Sequence, residues 1–385
     1  MLTFLSERMM MREILNYARA QTPEMIRTLR QMVEIESPSS EPDAINRLAG
    51  FLVDRFAPLS REVDRIPVSG AGDLVRARTG RGEGAILVLG HMDTVWPLST
   101  LRDRPVRIEG EKLYGPGSFD MKGGLTVALF ALKTLHALDL RPERSVTFLF
   151  TSLEEVGGRP YRHILEREAR RCQSVLVLEP PLPGGAVKTA RKGTARLILR
   201  VHGRSAHAGL APEEGVNAII ELAHQLVRLA SLNEWGEGLS VNVGVIRGGR
   251  RANVVPDRAE AEIDIRFSSL EQGKRAIEAI GQFQPILDGA EIEVLGDLSV
   301  PPMERTEAIV SLYQRARAIA ARLGFDLPEG AAGGASEGSY TAAWGIPTLD
   351  GLGPDGDGAH AAHEHVLIPS LAERTALLAA LLLKL

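Results

Sequence analysis

The sequence predicts an α/β fold, a mostly parallel sheet sandwiched by helices, with a smaller ferredoxin-like α+β domain inserted into it. Three observations lead there. First, AILVLG (85–90), SVTFLFT (145–151) and SVLVL (174–178) are short runs that are apolar on both faces. Such runs are strands buried in a sheet that is covered on both sides. Second, MKGGLTVALFALKTLHAL (121–138) lies between the first two, with Leu125, Ala128, Leu129, Leu132 and Leu135 at helical spacing. Strand, helix and strand in alternation imply a parallel sheet. Third, the pattern changes near Lys192. In AEAEIDIRF (259–267), Ala261, Ile263, Ile265 and Phe267 alternate with Glu260, Glu262, Asp264 and Arg266. That is a strand with one wet face.

The remaining elements follow in order. ARLILRVH (195–202) alternates, a helix fits 215–231, and SVNVGVI (240–246) is a strand. After 259–267 come a helix at 270–283 and the strand EIEVLG (291–296). The order β-α-β-β-α-β is the split βαβ unit. Residues 192–302 therefore form an inserted domain, and 1–191 and 303–385 form two parts of one larger domain. Helices at 306–323 and 370–384 complete that domain.

Composition narrows the function. The chain has 385 residues, 44% hydrophobic and 24% charged, with a formal net charge of −4 and no run rich in Lys and Arg. Nucleic acid is not an expected partner. No apolar run approaches a membrane span, and MLTFLSERMMMREILNYARAQ is broken by charges, unlike a signal peptide. A cytoplasmic protein without membrane contact is expected. Cys172 is the single cysteine, so a metal site must use nitrogen and oxygen ligands.

Acidic and imidazole groups cap the apolar runs. His91 and Asp93 follow the first, Glu154 and Glu155 the second, and Glu179 the third. Asp120 lies in GPGSFDMKGG (115–124), and His360 lies in GLGPDGDGAHAAHEHV (351–366). The carboxyl ends of strands in an open α/β sheet are where sites form. Five carboxylates at one edge repel unless compensated, and Lys122 is the nearest base in these stretches. Divalent cations would compensate them. Two histidines with carboxylates suit zinc, with manganese or cobalt as looser fits.

HMDTV, GPGSFDMKGG, the EE of SLEEVGG, LEP and the GAH near the C-terminus together resemble the dinuclear zinc exopeptidases and deacylases. These include glutamate carboxypeptidase, acetylornithine deacetylase, succinyl-diaminopimelate desuccinylase and aminoacylase. The resemblance runs along nearly the whole chain and is nearest to the glutamate carboxypeptidase branch. It implies that His91 and Glu179 hold one zinc, Glu155 and His360 hold the other, and Asp120 bridges both. It implies that Asp93 orients the His91 ring and that the Asp120–Met121 peptide is cis. Glu154 would be the general base, taking a proton from a water that bridges the metals. In GRSAHAGLAPEEGVNAI (203–219) His207 would reach the active site of a partner subunit and stabilise the oxyanion, which requires a homodimer. Asn253 and Arg266 would contact substrate, a small peptide or an N-acyl amino acid.

The sequence departs from that family in two places. Glu337 stands where Asp is common, and Ala331 stands where glutamate-specific enzymes carry an arginine. The bidentate carboxylate contact of that arginine is lost. Lys188, Arg191 and Lys192 are alternative sources of charge. The expected activity is release of a C-terminal amino acid. An N-acyl-amino-acid deacylase on the same site is the alternative, and a non-catalytic metal-binding homologue is a rival of another class.

Each residue alone has a plainer reading as a solvated loop group; their order together carries the weight. His363 and His365 lie near His360, but His360 sets Glu364 and Val366 at the family's offsets. His136, His163, His202 and His224 read as structural. GRGEG (80–84) precedes its strand, so a dinucleotide loop is a poor reading, and no G-x-S-x-G elbow is present. Cys172 has no neighbouring motif of a nucleophile.

Overall fold

A computed structural model describes residues 2–82, 85–234 and 236–385. Glu83 and Gly84 of the GRGEG stretch and Met1 of the N-terminal stretch lie outside them. The chain divides into two compact units. One comprises 1–189, 305–331 and 336–385; the other comprises 190–304 and 332–335.

The larger unit is built on a six-stranded mixed sheet. In spatial order its strands are Glu62–Ile66, Leu74–Thr79, Val146–Thr151, Ala85–His91, Cys172–Val177 and Thr348–Leu349. Ala85–His91 runs parallel to the strands on both its sides, and Thr348–Leu349 runs parallel to Cys172–Val177. The four parallel strands therefore end at one edge, where His91 is in register with Thr151. Past their first residues the three apolar runs are buried, because helices cover both faces. On one face lie Gly123–Ala137, Ile368–Lys384 and the N-terminal helices, packed around Phe56, Phe148, Phe150, Leu125 and Leu377. On the other lie Tyr161, Ile164 and Leu165.

The antiparallel strands Glu62–Ile66 and Leu74–Thr79 and the helices Leu2–Ala20, Thr22–Glu34 and Pro42–Phe56 extend the architecture read from the sequence. The helix expected from 121 begins at Gly123, because Asp120 and Met121 have non-helical φ of −117° and −132°; the Asp120–Met121 bond is cis. Gly124 lets this helix approach the chain just past strand Cys172–Val177: a Cβ there would meet the Leu178 carbonyl oxygen at 2.2 Å, beside Glu179.

The smaller unit is a four-stranded antiparallel sheet in the order Ser240–Gly248, Arg258–Phe267, Gly193–His202, Glu291–Val300. Helices Ala218–Ala230 and Leu270–Gly281 pack on one face. Ala261, Ile263, Ile265 and Phe267 point into that core, as their alternation predicts. Strand order 2-3-1-4 is that of the ferredoxin-like unit. Among the described residues no helix is long and apolar enough to cross a membrane.

Candidate metal centre

Two groups of potential ligands form at the carboxyl edge of the larger unit. His91, Asp120 and Glu179 make one; Asp120, Glu155 and His360 make the other. His91 ends its strand, Glu155 lies in a short turn after Val146–Thr151, and Glu179 follows Cys172–Val177. Asp120 belongs to both groups through different oxygens. Its Oδ1 lies 3.1 Å from His91 Nε2, and its Oδ2 lies 3.3 Å from His360 Nε2. Glu179 Oε1 stands 3.4 Å from His91 Nε2, and Glu155 Oε2 stands 3.1 Å from His360 Nε2. His360 adopts φ of +61°, a region costly for a residue with a Cβ.

Asp93 holds the adjacent loop. Its Oδ1 accepts the Glu154 N–H at 3.1 Å, and its Oδ2 accepts the Glu155 N–H at 3.2 Å and the Ser39 hydroxyl at 2.7 Å. The expected contact to the His91 ring comes mainly from the main chain. His91 Nδ1 lies 2.9 Å from the Asp93 carbonyl oxygen and 3.5 Å from the Asp93 carboxylate. The carboxylate is engaged by two amides and the Ser39 hydroxyl, and the carbonyl is the nearer acceptor for the ring.

This contact sets the chemistry of the donor set. A carbonyl only accepts, so His91 Nδ1 carries a proton. In the neutral ring, Nε2 then presents a lone pair to two carboxylate oxygens. Three lone pairs converge, which only a cation or a second ring proton can relieve. Burial alone would lower the His91 pKa, but Asp120, Asp93 and Glu179 hold it well above its ordinary value. His360 is pushed up to about 10 by Asp120 and Glu155. Burial would raise Asp120, yet hydrogen bonds from His360 and His91 hold it below the usual carboxylate range. The residues thus fit two divalent cations that share one carboxylate, with nitrogen and oxygen ligands in each group.

Glu154 belongs to neither group. Burial first, then the charge of Glu179, raises its pKa well above that of an ordinary carboxylate. A carboxylate so tuned can hold a proton in mid-reaction. Glu337, the departure from Asp, is buried and accepts the Tyr161 hydroxyl at 2.6 Å and the Thr151 hydroxyl at 2.9 Å.

In the sequence Glu364 is only an offset from His360. Its carboxylate accepts N–H groups from the turn carrying Asp120 and from Trp96. The sequence signal was its place four residues after His360, but its partners lie over 240 positions away. His365 is buried, with Nδ1 2.8 Å from the His363 carbonyl and its ring beside Tyr114. His363 stands 3.8 Å from Asp357. Neither belongs to a ligand group among the described residues. His136, His163, His202 and His224 do not either. The Cys172 thiol is pushed up to about 12 by burial and by Glu168, which suits packing and not attack.

The other predicted residues lie in the smaller unit. His207 is exposed, and its Nδ1 accepts the N–H groups of Gly209 and Leu210 at 3.1 and 3.2 Å. The ring proton therefore sits on Nε2, ready to donate. His207 bridges to Val254, and the Asn253 carbonyl accepts the Ala208 N–H, so the loops of His207 and Asn253 are joined. Arg266 is engaged by Asp264, Nε to Oδ1 at 2.7 Å and Nη2 to Oδ2 at 3.2 Å. Arg191 is buried and donates to the carbonyls of Gly334 and Ala335. In the larger unit, Lys188 is buried and Ala331 is exposed.

Comparison with known proteins agrees with this geometry. Residues 87–384 match peptidase family M20/M25/M40. Carboxypeptidase G2 of Pseudomonas sp. (strain RS-16) is 31% identical over 371 residues, covering 94% of this chain and 89% of that protein. Succinyl-diaminopimelate desuccinylase of Thioalkalivibrio sulfidiphilus is 29% identical over 344 residues, covering 83% and 89%. A tripeptidase structure from Staphylococcus aureus superposes with a TM-score of 0.80 at 22% identity, covering 94% of this chain and 97% of that one.

Proposed function

The chain belongs to peptidase family M20/M25/M40, a family of metal-dependent hydrolases, and from that premise we propose that it releases a C-terminal amino acid by cleaving the amide that joins it to an acyl or peptidyl group. The observation that carries this reading is the sharing of Asp120 between two imidazole–carboxylate groups with Glu154 beside them. His91 and Glu179 would hold one zinc ion, Glu155 and His360 the other, and Asp120 both. When bound, the ions would polarise the attacking water and the scissile carbonyl.

The protein's own groups do the rest. Glu154 takes the proton of the attacking water and returns it to the leaving nitrogen. Asp93 fixes the main chain at Glu154 and Glu155. His207 of a partner subunit donates Nε2–H to the oxygen that gains charge. Asn253 and Arg266 contact the substrate, Arg266 at a carboxylate, by its guanidinium edge not taken by Asp264.

This scheme makes the smaller unit a lid and dimerisation domain. Strand Ser240–Gly248 is an edge strand, and Ile246 is 57% exposed on it. Helix Ala218–Ala230 exposes Ile219, Ile220 and, at 75%, Val227. An apolar edge strand with an apolar helix face beside it supports such an interface. The lone buried cysteine fits a reducing cytoplasm.

Deacylation of an N-acyl amino acid is the second reading. Ala331 and the desuccinylase relative favour it. A screen of zinc-reconstituted protein against N-acyl amino acids and dipeptides, varied at the C-terminal residue and run with and without chelator, tests both. Chelator-sensitive release of the C-terminal amino acid is expected, and the acyl preference separates the two readings. No release from any substrate with two metals bound would overturn the proposal in favour of a binding module.

A further inference from the structure

We infer that Glu364 is a positioning residue that sets the metal affinity of the centre by locking the main chain at Asp120. It is 3% exposed, and four donors converge on its carboxylate. Oε1 accepts the N–H groups of Phe119 and Asp120, both at 3.0 Å. Oε2 accepts the Gly117 N–H at 2.8 Å and Trp96 Nε1–H at 2.7 Å. The Glu364 carbonyl accepts the Gly115 N–H at 3.3 Å, from the start of the same turn.

These contacts join three stretches that carry the centre. Trp96 lies three residues past Asp93 and five past His91. Residues 117–120 end on the shared ligand. Glu364 itself lies four residues past His360. Asp120 must offer one oxygen to each ligand group, so rotation of its main chain would misplace both oxygens. A side chain that fixes this residue therefore acts on both groups at once. Ligand-orienting partners of this kind are worth about 10- to 100-fold in metal affinity.

The donor pattern also dictates the residue type. Every partner is an N–H, so both side-chain oxygens must accept. Glutamine keeps the shape but replaces one accepting oxygen with an amide that itself donates. A fully buried carboxylate also needs compensation beyond its hydrogen bonds. Burial pushes the Lys122 amine, two residues past Asp120, down to about 7, and the Glu364 charge favours its protonated form.

The inference rests on the two-metal reading of the site, and the test keeps the two apart. Zinc would be titrated into metal-free full-length wild type, Glu364→Gln and Trp96→Phe against a chelating indicator. Far-ultraviolet circular dichroism of the metal-free proteins would check the fold. Glu364→Gln should stay folded and bind zinc about tenfold or more weakly, and activity should return as zinc is raised. Trp96→Phe removes one of the four donors and should show a smaller loss in the same direction. Unchanged zinc affinity in folded Glu364→Gln would overturn the inference. Should that variant fail to fold, unchanged affinity in Trp96→Phe would do so. Wild type that takes up no zinc would sink the two-metal reading itself, and this inference with it.

Discussion

Asp93 holds Glu154 by its main chain: Oδ1 of the aspartate accepts the Glu154 N–H at 3.1 Å. The second oxygen takes the next amide and the Ser39 hydroxyl. Asp93 is fully buried, so its loss leaves two main-chain donors without their acceptor. Asp93→Ala should therefore misplace Glu154 and Glu155 together, one the proposed base and the other a proposed ligand. A fall in kcat of about 10- to 100-fold is expected, with zinc content reduced at the Glu155 group. Steady-state kinetics with metal analysis of the purified variant checks this. Normal kcat would show that the loop holds its shape without Asp93.

Glu154 should separate chemistry from metal binding. It lies outside both ligand groups, and Glu154→Gln preserves its volume. The variant should keep the wild-type metal content and lose about 10²- to 10⁴-fold in kcat. KM should change little, since a proton carrier acts in the transition state. Lost metal with this substitution would mean that Glu154 is a ligand and not a base.

The legible parts of the site share one property: each proposed ligand sits at or near the end of a strand whose apolar run is visible, or in a glycine-rich loop. His91, Glu155 and Glu179 are of the first kind; Asp120 and His360 are of the second. Alternation along 259–267 likewise revealed the second sheet, because a wet face writes itself into every other residue. What stayed hidden depends on main-chain partners. Asp93 binds the amides of Glu154 and Glu155, and Glu364 binds those of Gly117, Phe119 and Asp120. An amide has no residue type, so no pattern advertises it. Arg266 illustrates a further gap, since its partner Asp264 is visible two positions away but their pairing depends on rotamers.

Metal removal should lower stability as well as activity. Asp120, Glu154, Glu155 and Glu179 crowd one edge, and once cations leave their mutual repulsion is relieved only by protons held on His91, His360 and Glu154. Binding to the folded state adds about 2.7 kcal/mol at free metal one hundred times Kd. Thermal melts should thus shift upward with added zinc, fall with chelator, and recover on zinc replacement. A melting temperature indifferent to both would argue against folded-state metal sites.

A pH-dependent contribution should come from Glu168, away from the ligand groups. Its Oε1 pairs with Arg76 Nη1 at 2.9 Å and its Oε2 with Arg78 Nη2 at 3.0 Å. Burial would raise its pKa, but Arg78 and Arg76 outweigh that and hold it below the ordinary 4.5. The folded state therefore prefers the charged form. The stabilisation is complete above the unfolded value and is lost as pH falls through the folded one. Glu168→Gln should melt lower than wild type near neutrality, and the gap should close as pH falls below 4.5. A gap that persists in acid would assign the loss to packing.

His207 offers the sharpest test of assembly. Its Nδ1 is occupied by two backbone donors, so Nε2–H is the group left to act, and the residue is exposed within its unit. If it serves the active site of a partner subunit, two different defects can complement each other. His207→Ala and Glu154→Ala should each be nearly inactive alone. A mixed dimer would contain one site with an intact Glu154 and an intact His207 from across the interface. Mixing the two variants, with subunit exchange verified by differently tagged chains, should restore up to about half the activity per mixed dimer, since one of two sites is whole. No recovery in verified mixed dimers would mean that each chain completes its own site. A chain that stays monomeric at assay concentration yet is fully active would overturn the subunit-crossing role of His207.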